Sequence, residues 1–115
     1  MLDLLVYNED NFHTVERNEG LAVVRFFAPW CPPCRDSEAS FFAFSEQLDS
    51  SVVAGIVNVG HSPVLASRYV INGLPSVLMF KDGQLLKRLV GQKSIKDYQH
   101  ALTELEAATL RGYEV

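Results

Sequence analysis

Apolar and polar positions along the 115-residue chain change period several times, and each change marks an element. Leu2 to Tyr7 is a short apolar run with strand character. Asn8 follows as an N-cap, Phe12, Val15 and Glu16 fall at helical spacing, and Gly20 stops the helix. Leu21 to Phe27 is apolar throughout except for Arg25, the pattern of a central strand covered on both faces, and Pro29 ends it. Cys34 to Asp49 contains no Gly or Pro and places Phe41, Phe44 and Leu48 on one helical face, bordered by Phe42. Val52 to Val59 is a further Val/Ile-rich strand. Ser62-Pro63 pairs an N-cap with Pro at the first helical position, opening a short helix to Tyr69 with Leu65 and Tyr69 inward. Gly73-Leu74-Pro75 breaks the chain; Ser76 to Lys81 and Leu85 to Val90 are strands joined through Asp82-Gly83, a hairpin signal, and Gly91 ends the pair. Ser94 caps a last helix with Ile95, Tyr98, Leu102, Leu105 and Thr109 on one face, and Arg111 to Val115 is expected to fray.

The order β-α-β-α-β-(α)-β-β-α predicts an α/β fold: a βαβ half plus a ββα half, sharing a mixed central sheet with helices on both faces. Residues 1–115 make one domain of ordinary globular composition, 48% hydrophobic and 21% charged, with no repeats or linkers. The net charge of −4 argues against nucleic acid or an anionic membrane surface as a partner. No apolar run is long enough to span a bilayer, and Met1-Leu2-Asp3-Leu4-Leu5 lacks the basic start of a signal peptide, so the expected location is the cytoplasm.

Candidate chemistry gathers in Phe26-Phe27-Ala28-Pro29-Trp30-Cys31-Pro32-Pro33-Cys34, which holds both cysteines and the sole tryptophan. Two cysteines are too few for a disulfide scaffold, and fall short of the four ligands of a structural zinc site, so the CxxC reads as redox chemistry. At a helix start, unpaired amides and the helix dipole favour the thiolate of Cys31, while the i, i+3 spacing keeps the sulfur of Cys34 within bonding reach. Cys31 is then the attacking nucleophile and Cys34, one turn further and more buried, the resolving thiol. Pro32 and Pro33 suit a first turn, and Pro32 holds Cys31 out of the helical region; both also remove amides that could have stabilised a thiolate, leaving that of Cys34. The plain alternatives are a buried cysteine pair without chemistry, or a metal shared between two chains through four thiolates. His13, His61 and His100 are scattered, and Phe41, Phe42 and Phe44 read as core.

FFAPWCPPC, Gly73-Leu74-Pro75-Ser76, the Lys81-Asp82-Gly83-Gln84 hairpin and Gly91 before the last helix together resemble the thioredoxin family, from about Leu4 to Leu105. The resemblance implies the thioredoxin fold and a cis Pro75 facing the CxxC. It implies that Leu74 offers backbone groups to an extended substrate, and that Trp30, Pro32, Leu74, Pro75 and Gly91 line an apolar groove around the attacking sulfur. It further implies activity as a thiol–disulfide oxidoreductase on protein disulfides, recycled by a reductase, as a monomer carrying electrons in the cysteine pair, with no metal or organic cofactor. WCPPC also resembles motifs of tryparedoxin-like and membrane-anchored bacterial thioredoxin-like proteins, which often serve a dedicated partner.

Three positions depart from the family pattern. Arg25 stands where thioredoxins carry a buried Asp, Ala54-Gly55-Ile56 lacks a nearby lysine, and Ala39 replaces a helix proline. Arg25 either snorkels to the surface or pairs with a carboxylate such as Glu38, or its charge is felt at the cysteines, favouring thiolate over disulfide against the effect of the two prolines. Arg25 and Pro33 are therefore candidate tuning residues. Loss of the Asp and Lys proton relay also opens a second reading: a protein-binding module of partner or chaperone type with little redox turnover.

Overall fold

The computed structural model describes residues 4–110, and side chains through residue 107. Nine elements follow in order: β1 (Leu5–Tyr7), α1 (His13–Glu16), β2 (Leu21–Phe27), α2 (Pro32–Glu46), β3 (Val53–Asn58), α3 (Pro63–Arg68), β4 (Ser76–Lys81), β5 (Gln84–Val90) and α4 (Ile95–Leu110). This is the expected order. Thr109 and residues 111–115, assigned above to the last helical face and a frayed tail, lie outside the residues so described.

The five strands form one mixed sheet in the order β1-β3-β2-β4-β5. β1 and β2 both pair parallel with β3, while β4 runs antiparallel to β2 and to β5. Strand alternation splits the core in two. Ala22, Val24 and Phe26 of β2 meet Tyr7, Phe12, Val15, Leu65 and Phe80 on the α1/α3 face. Val23 meets Phe41, Phe44, Val77, Met79 and Tyr98 on the α2/α4 face. The near-continuous apolarity of β2 thus reflects burial on both sides, as its pattern requires. At the hairpin, Asp82 (φ 52°) and Gly83 (φ 81°) both take left-handed conformations, the geometry of a tight primed turn. Ser94 caps α4: its Oγ accepts the Asp97 N–H at 3.1 Å, and the Asp97 carboxylate accepts the Ser94 N–H at 2.9 Å.

Two helix starts differ from expectation. Asn8 caps a turn rather than the helix, its Oδ1 accepting the N–H groups of Asp10 and Asn11, and α1 is a single turn that begins at His13. Ser62 occupies the N-cap position of α3, but its buried hydroxyl makes no capping bond. Instead the carboxylate of Glu9, 55 residues away, accepts the Val64 N–H at 2.6 Å.

α3 is tied down through Glu16, whose Oε2 accepts from Arg68 at 2.8 Å and from the Tyr69 hydroxyl at 2.6 Å. Burial first, and then the Glu16 hydrogen bond, push the Tyr69 phenol up to about 12. The folded value lies above the ordinary 10.0, so the fold favours the neutral phenol. Its contribution is full below pH 10 and is lost as the pH rises towards 12. Urea unfolding followed across this window should show wild type losing more stability than Tyr69→Phe; parallel losses would remove Tyr69 as the cause.

Candidate active site

The register of β2 against β4 sets the site. Phe26 lies opposite Ser76, so the chain leaving β2 and the chain entering β4 meet at one end of the sheet. Cys31 and Pro75, 44 positions apart, come from these two segments. The Leu74–Pro75 peptide is cis, as the family resemblance implied. The carbonyl of Pro75 accepts the N–H of Gly91 at 2.8 Å, and Gly91 turns there with φ 94°. Ser76 is buried and its hydroxyl donates to the carbonyl of Gly73 at 2.6 Å, closing the Gly73–Ser76 segment on itself.

Cys31 and Cys34 are joined as a disulfide, with Cα atoms 5.2 Å apart. Cys31 is the N-cap of α2 in an extended conformation (φ −97°, ψ 108°), as a residue before Pro should be. Its sulfur takes the capping position and accepts the Cys34 N–H at 3.2 Å. That amide is the one left after Pro32 and Pro33 forfeit theirs. Arg35 steadies the approach to the motif by donating to the carbonyl of Pro29 at 3.0 Å. Both cysteines are buried, packed with Ala28 and against Phe27, Val59 and Leu74.

A shallow depression of about 440 Å³ opens over Cys31. Trp30, 69% exposed, stands on its rim with Pro32 and Pro33, and Leu74, Gly73, Ile71 and Val59 form the facing wall. Cys34 does not line it. Pro75 is buried, and neither it nor Gly91 belongs to the lining; both support the wall through the Gly91–Pro75 hydrogen bond. Ile71 and Asn72 were not singled out in the sequence, and Gly73 was read there as part of a chain break and of the family segment rather than as a groove residue.

Arg25 does not snorkel. It is 2% exposed, and no carboxylate reaches ion-pair distance of it among the described residues. Its Nη2 donates to the carbonyl of Cys34 at 2.5 Å, and its guanidinium lies 5.4 Å from the Phe27 ring centroid and 5.9 Å from that of Phe41. Its Nε has no hydrogen-bond partner among the described residues. Burial pulls the Arg25 pKa down, while Glu38 and then Tyr98 pull it back up through space. The expectation of a surface-reaching or carboxylate-paired side chain is therefore corrected: a backbone carbonyl and two aromatic faces hold the charge, features that a one-dimensional pattern does not display. Tyr98, also buried, has no partner for its hydroxyl among the described residues. Among the described residues, no group of three or more His, Cys, Asp and Glu is gathered as metal ligands would be.

The thioredoxin family model matches residues 3–104 of this sequence. The chain belongs to the thioredoxin family. It is 34% identical to a thioredoxin of Chlamydia caviae over 88 residues, covering 76% of this chain and 84% of that one. It is 30% identical over 92 residues to protein disulfide isomerase-like 1-3 of Arabidopsis thaliana, covering 80% of this chain but only 16% of that much longer protein. The crystal structure of Malassezia sympodialis thioredoxin (Mala s 13) superposes with a TM-score of 0.81 at 26% identity, covering 90% and 91% of the two chains. Family membership and a joined cysteine pair at a helix start together support thiol–disulfide oxidoreductase activity. No helix among the described residues is long and apolar enough to cross a membrane.

The hydroxyl of Ser76 is the internal brace of the wall facing Cys31. Ser76→Ala should lower stability by about 1 kcal/mol, the usual net loss for one hydrogen bond, and raise KM for a disulfide substrate more than it lowers kcat. Urea unfolding and steady-state kinetics check the two parts; an unchanged KM would show that the brace does not govern the groove.

Proposed function

We propose that this thioredoxin-like domain, residues 1–115, reduces or exchanges disulfides in protein substrates. One observation carries the reading: the sulfur of Cys31 caps α2 at the floor of an apolar groove, while Cys34 lies beneath it outside the groove. Cys31 is the nucleophile. Its thiolate attacks a substrate disulfide, releases one substrate thiolate and forms a mixed disulfide. Cys34 then attacks Cys31, the Cys31–substrate bond breaks, and the second substrate sulfur leaves. The substrate is reduced by two electrons and the cysteine pair is oxidised by two.

Trp30, Pro32 and Leu74 form the docking rim, with Pro75 and Gly91 holding its shape. The backbone N–H and C=O of Leu74 take no partner among the hydrogen bonds of the described residues, which suits pairing with an extended peptide. A peptide is the substrate this rim favours, because a flat apolar edge with free backbone groups recognises main chain rather than a particular small molecule. The groove and both sulfurs come from one chain, which fits action as a monomer. The reaction is completed by a reductase that returns two electrons to the pair, and the cytoplasm is the compartment where a chain with this single cysteine pair keeps it cycling. No metal or organic cofactor enters the scheme, and the net charge of −4 disfavours nucleic acid and anionic membranes as partners.

The test is turnover of a protein disulfide by catalytic amounts of the protein, with dithiothreitol as electron source. Wild type should turn over, Cys31→Ser should abolish turnover, and Cys34→Ser should accumulate a mixed disulfide through Cys31. Trp30→Ala should lower kcat/KM while stability changes by less than about 0.5 kcal/mol, as for other exposed positions. A wild type without turnover, alongside a Cys31→Ser variant that still holds partner proteins, would establish the binding-module reading instead.

A further inference from the structure

Resolution of the mixed disulfide places a demand on Cys34 that the site meets in an unusual way. A thiol attacks only as thiolate, and an ordinary Cys sits at a pKa of about 8.5, higher when buried in apolar surroundings. Cys34 is 2% exposed. Either a base must take its proton or a cation must hold its charge. Around Arg25, which bonds the Cys34 carbonyl, the charged and titratable groups are few: α2 contributes Glu38 and α4 contributes Tyr98, while the residues of β4 on this face, Val77 and Met79, are apolar; Arg35, next to Cys34 in sequence, is exposed and donates to the carbonyl of Pro29. Glu38 is exposed on the outer side of α2. Ser37, the buried hydroxyl of the same turn, already donates to the carbonyl of Pro33 at 2.8 Å. Among the described residues the fully buried ionic group is therefore a cation, bonded to the carbonyl of Cys34 itself and with no partner on its Nε.

We infer that Arg25 is a positioning residue for the second step, holding Cys34 as a thiolate so that resolution needs no base; this rests on the assignment of Cys31 and Cys34 proposed above. In the mixed disulfide only Cys34 can titrate, since Cys31 is bonded to substrate. A fixed positive charge on the adjoining carbonyl favours the ionised sulfur. The Cys34 thiolate attacks the Cys31 sulfur, the Cys31–substrate bond breaks, and the departing substrate thiolate takes its proton from solvent. No proton crosses the interior. The same charge stabilises the reduced pair relative to the disulfide and shifts the couple towards the oxidising side.

Stopped-flow reaction of the reduced protein with 5,5′-dithiobis(2-nitrobenzoate) separates the steps: thionitrobenzoate is released once on attack by Cys31 and again on resolution by Cys34. In wild type the second release should change less than about twofold between about pH 6 and 8, because Cys34 is already ionised there. In Arg25→Met it should climb by about tenfold per pH unit, as expected for a thiol below its pKa, and Arg25→Lys should restore the flat profile. The equilibrium constant with glutathione should move at least about tenfold towards the disulfide in Arg25→Met, a potential lower by about 30 mV, and by much less in Arg25→Lys. A wild-type second release that climbs about tenfold per pH unit would overturn the inference, and needs no variant to fold. So would an Arg25→Met protein with the wild-type profile and potential. Absence of the first release would instead overturn the assignment of Cys31 as nucleophile.

Discussion

The guanidinium of Arg25 lies in the middle of the central strand, between an aromatic ring of its own strand and one of the helix above, with no carboxylate at ion-pair distance among the described residues. An isolated charge in such a place costs several kcal/mol in lost hydration. Three favourable contacts oppose that cost. The charged hydrogen bond to the Cys34 carbonyl is worth about 1.5–3 kcal/mol, and each aromatic face about 0.5–2. The unpartnered Nε takes back about 1–3. These terms roughly cancel, so Arg25 is poorly explained as a source of stability. It couples two parts of the molecule: the sheet cannot shift beneath α2 without breaking the bond that ends at the resolving cysteine.

Everything else in the site follows from where β2 stops. Its apolar residues bury both faces of the strand, which fixes the sheet; Pro29 ends it, and the chain turns into α2 with Cys31 as the cap. The antiparallel neighbour β4 starts level with that turn, so the Gly73–Pro75 segment meets the cysteines by register alone. Ser76 and Gly91 then fix the segment's shape with hydrogen bonds of their own. The groove is thus a by-product of strand ends, its wall braced at the carbonyls of Gly73 and Pro75, while the Leu74 backbone and the Trp30 side chain stay open to a partner.

Strands β2 and β4, the hairpin from β4 to β5 and the long helices were legible in the sequence because burial on two faces, burial on one helical stripe, or an Asp-Gly turn leaves its mark in the residues. The start of α1 was not, because Asn8 satisfies its own local turn and leaves a single helical turn after it. The capping of α3 by Glu9 was hidden by 55 residues of separation. Gly55 lies in a stretch read above as a strand and for a missing lysine, not for its glycine. Its packing explains it better: a Cβ there would sit 2.3 Å from the Tyr7 ring, so the position needs glycine for the contact of β1 with β3. The cysteines were legible because CxxC before a helix carries its chemistry in its spacing. The direction of the Arg25 side chain was not, because the pattern marks a polar residue in an apolar run without naming the carbonyl that accepts it.

In sequence, the two prolines and Arg25 look like opposed influences on one thiolate. In space they act at different sulfurs. The prolines thin the amide field around Cys31, whose sulfur keeps the single N–H of Cys34. Arg25 reaches the carbonyl of Cys34, on the sheet side of the same turn. A pair tuned in this manner separates its two steps: attack depends on the helix start, and resolution on a charge supplied by the sheet. A carboxylate at position 25 would have to gain and lose a proton in every cycle. A guanidinium stays protonated throughout and can act only as a fixed field. The reaction directions it favours are therefore those that leave negative charge on Cys34, a bias set by the central strand before any substrate binds.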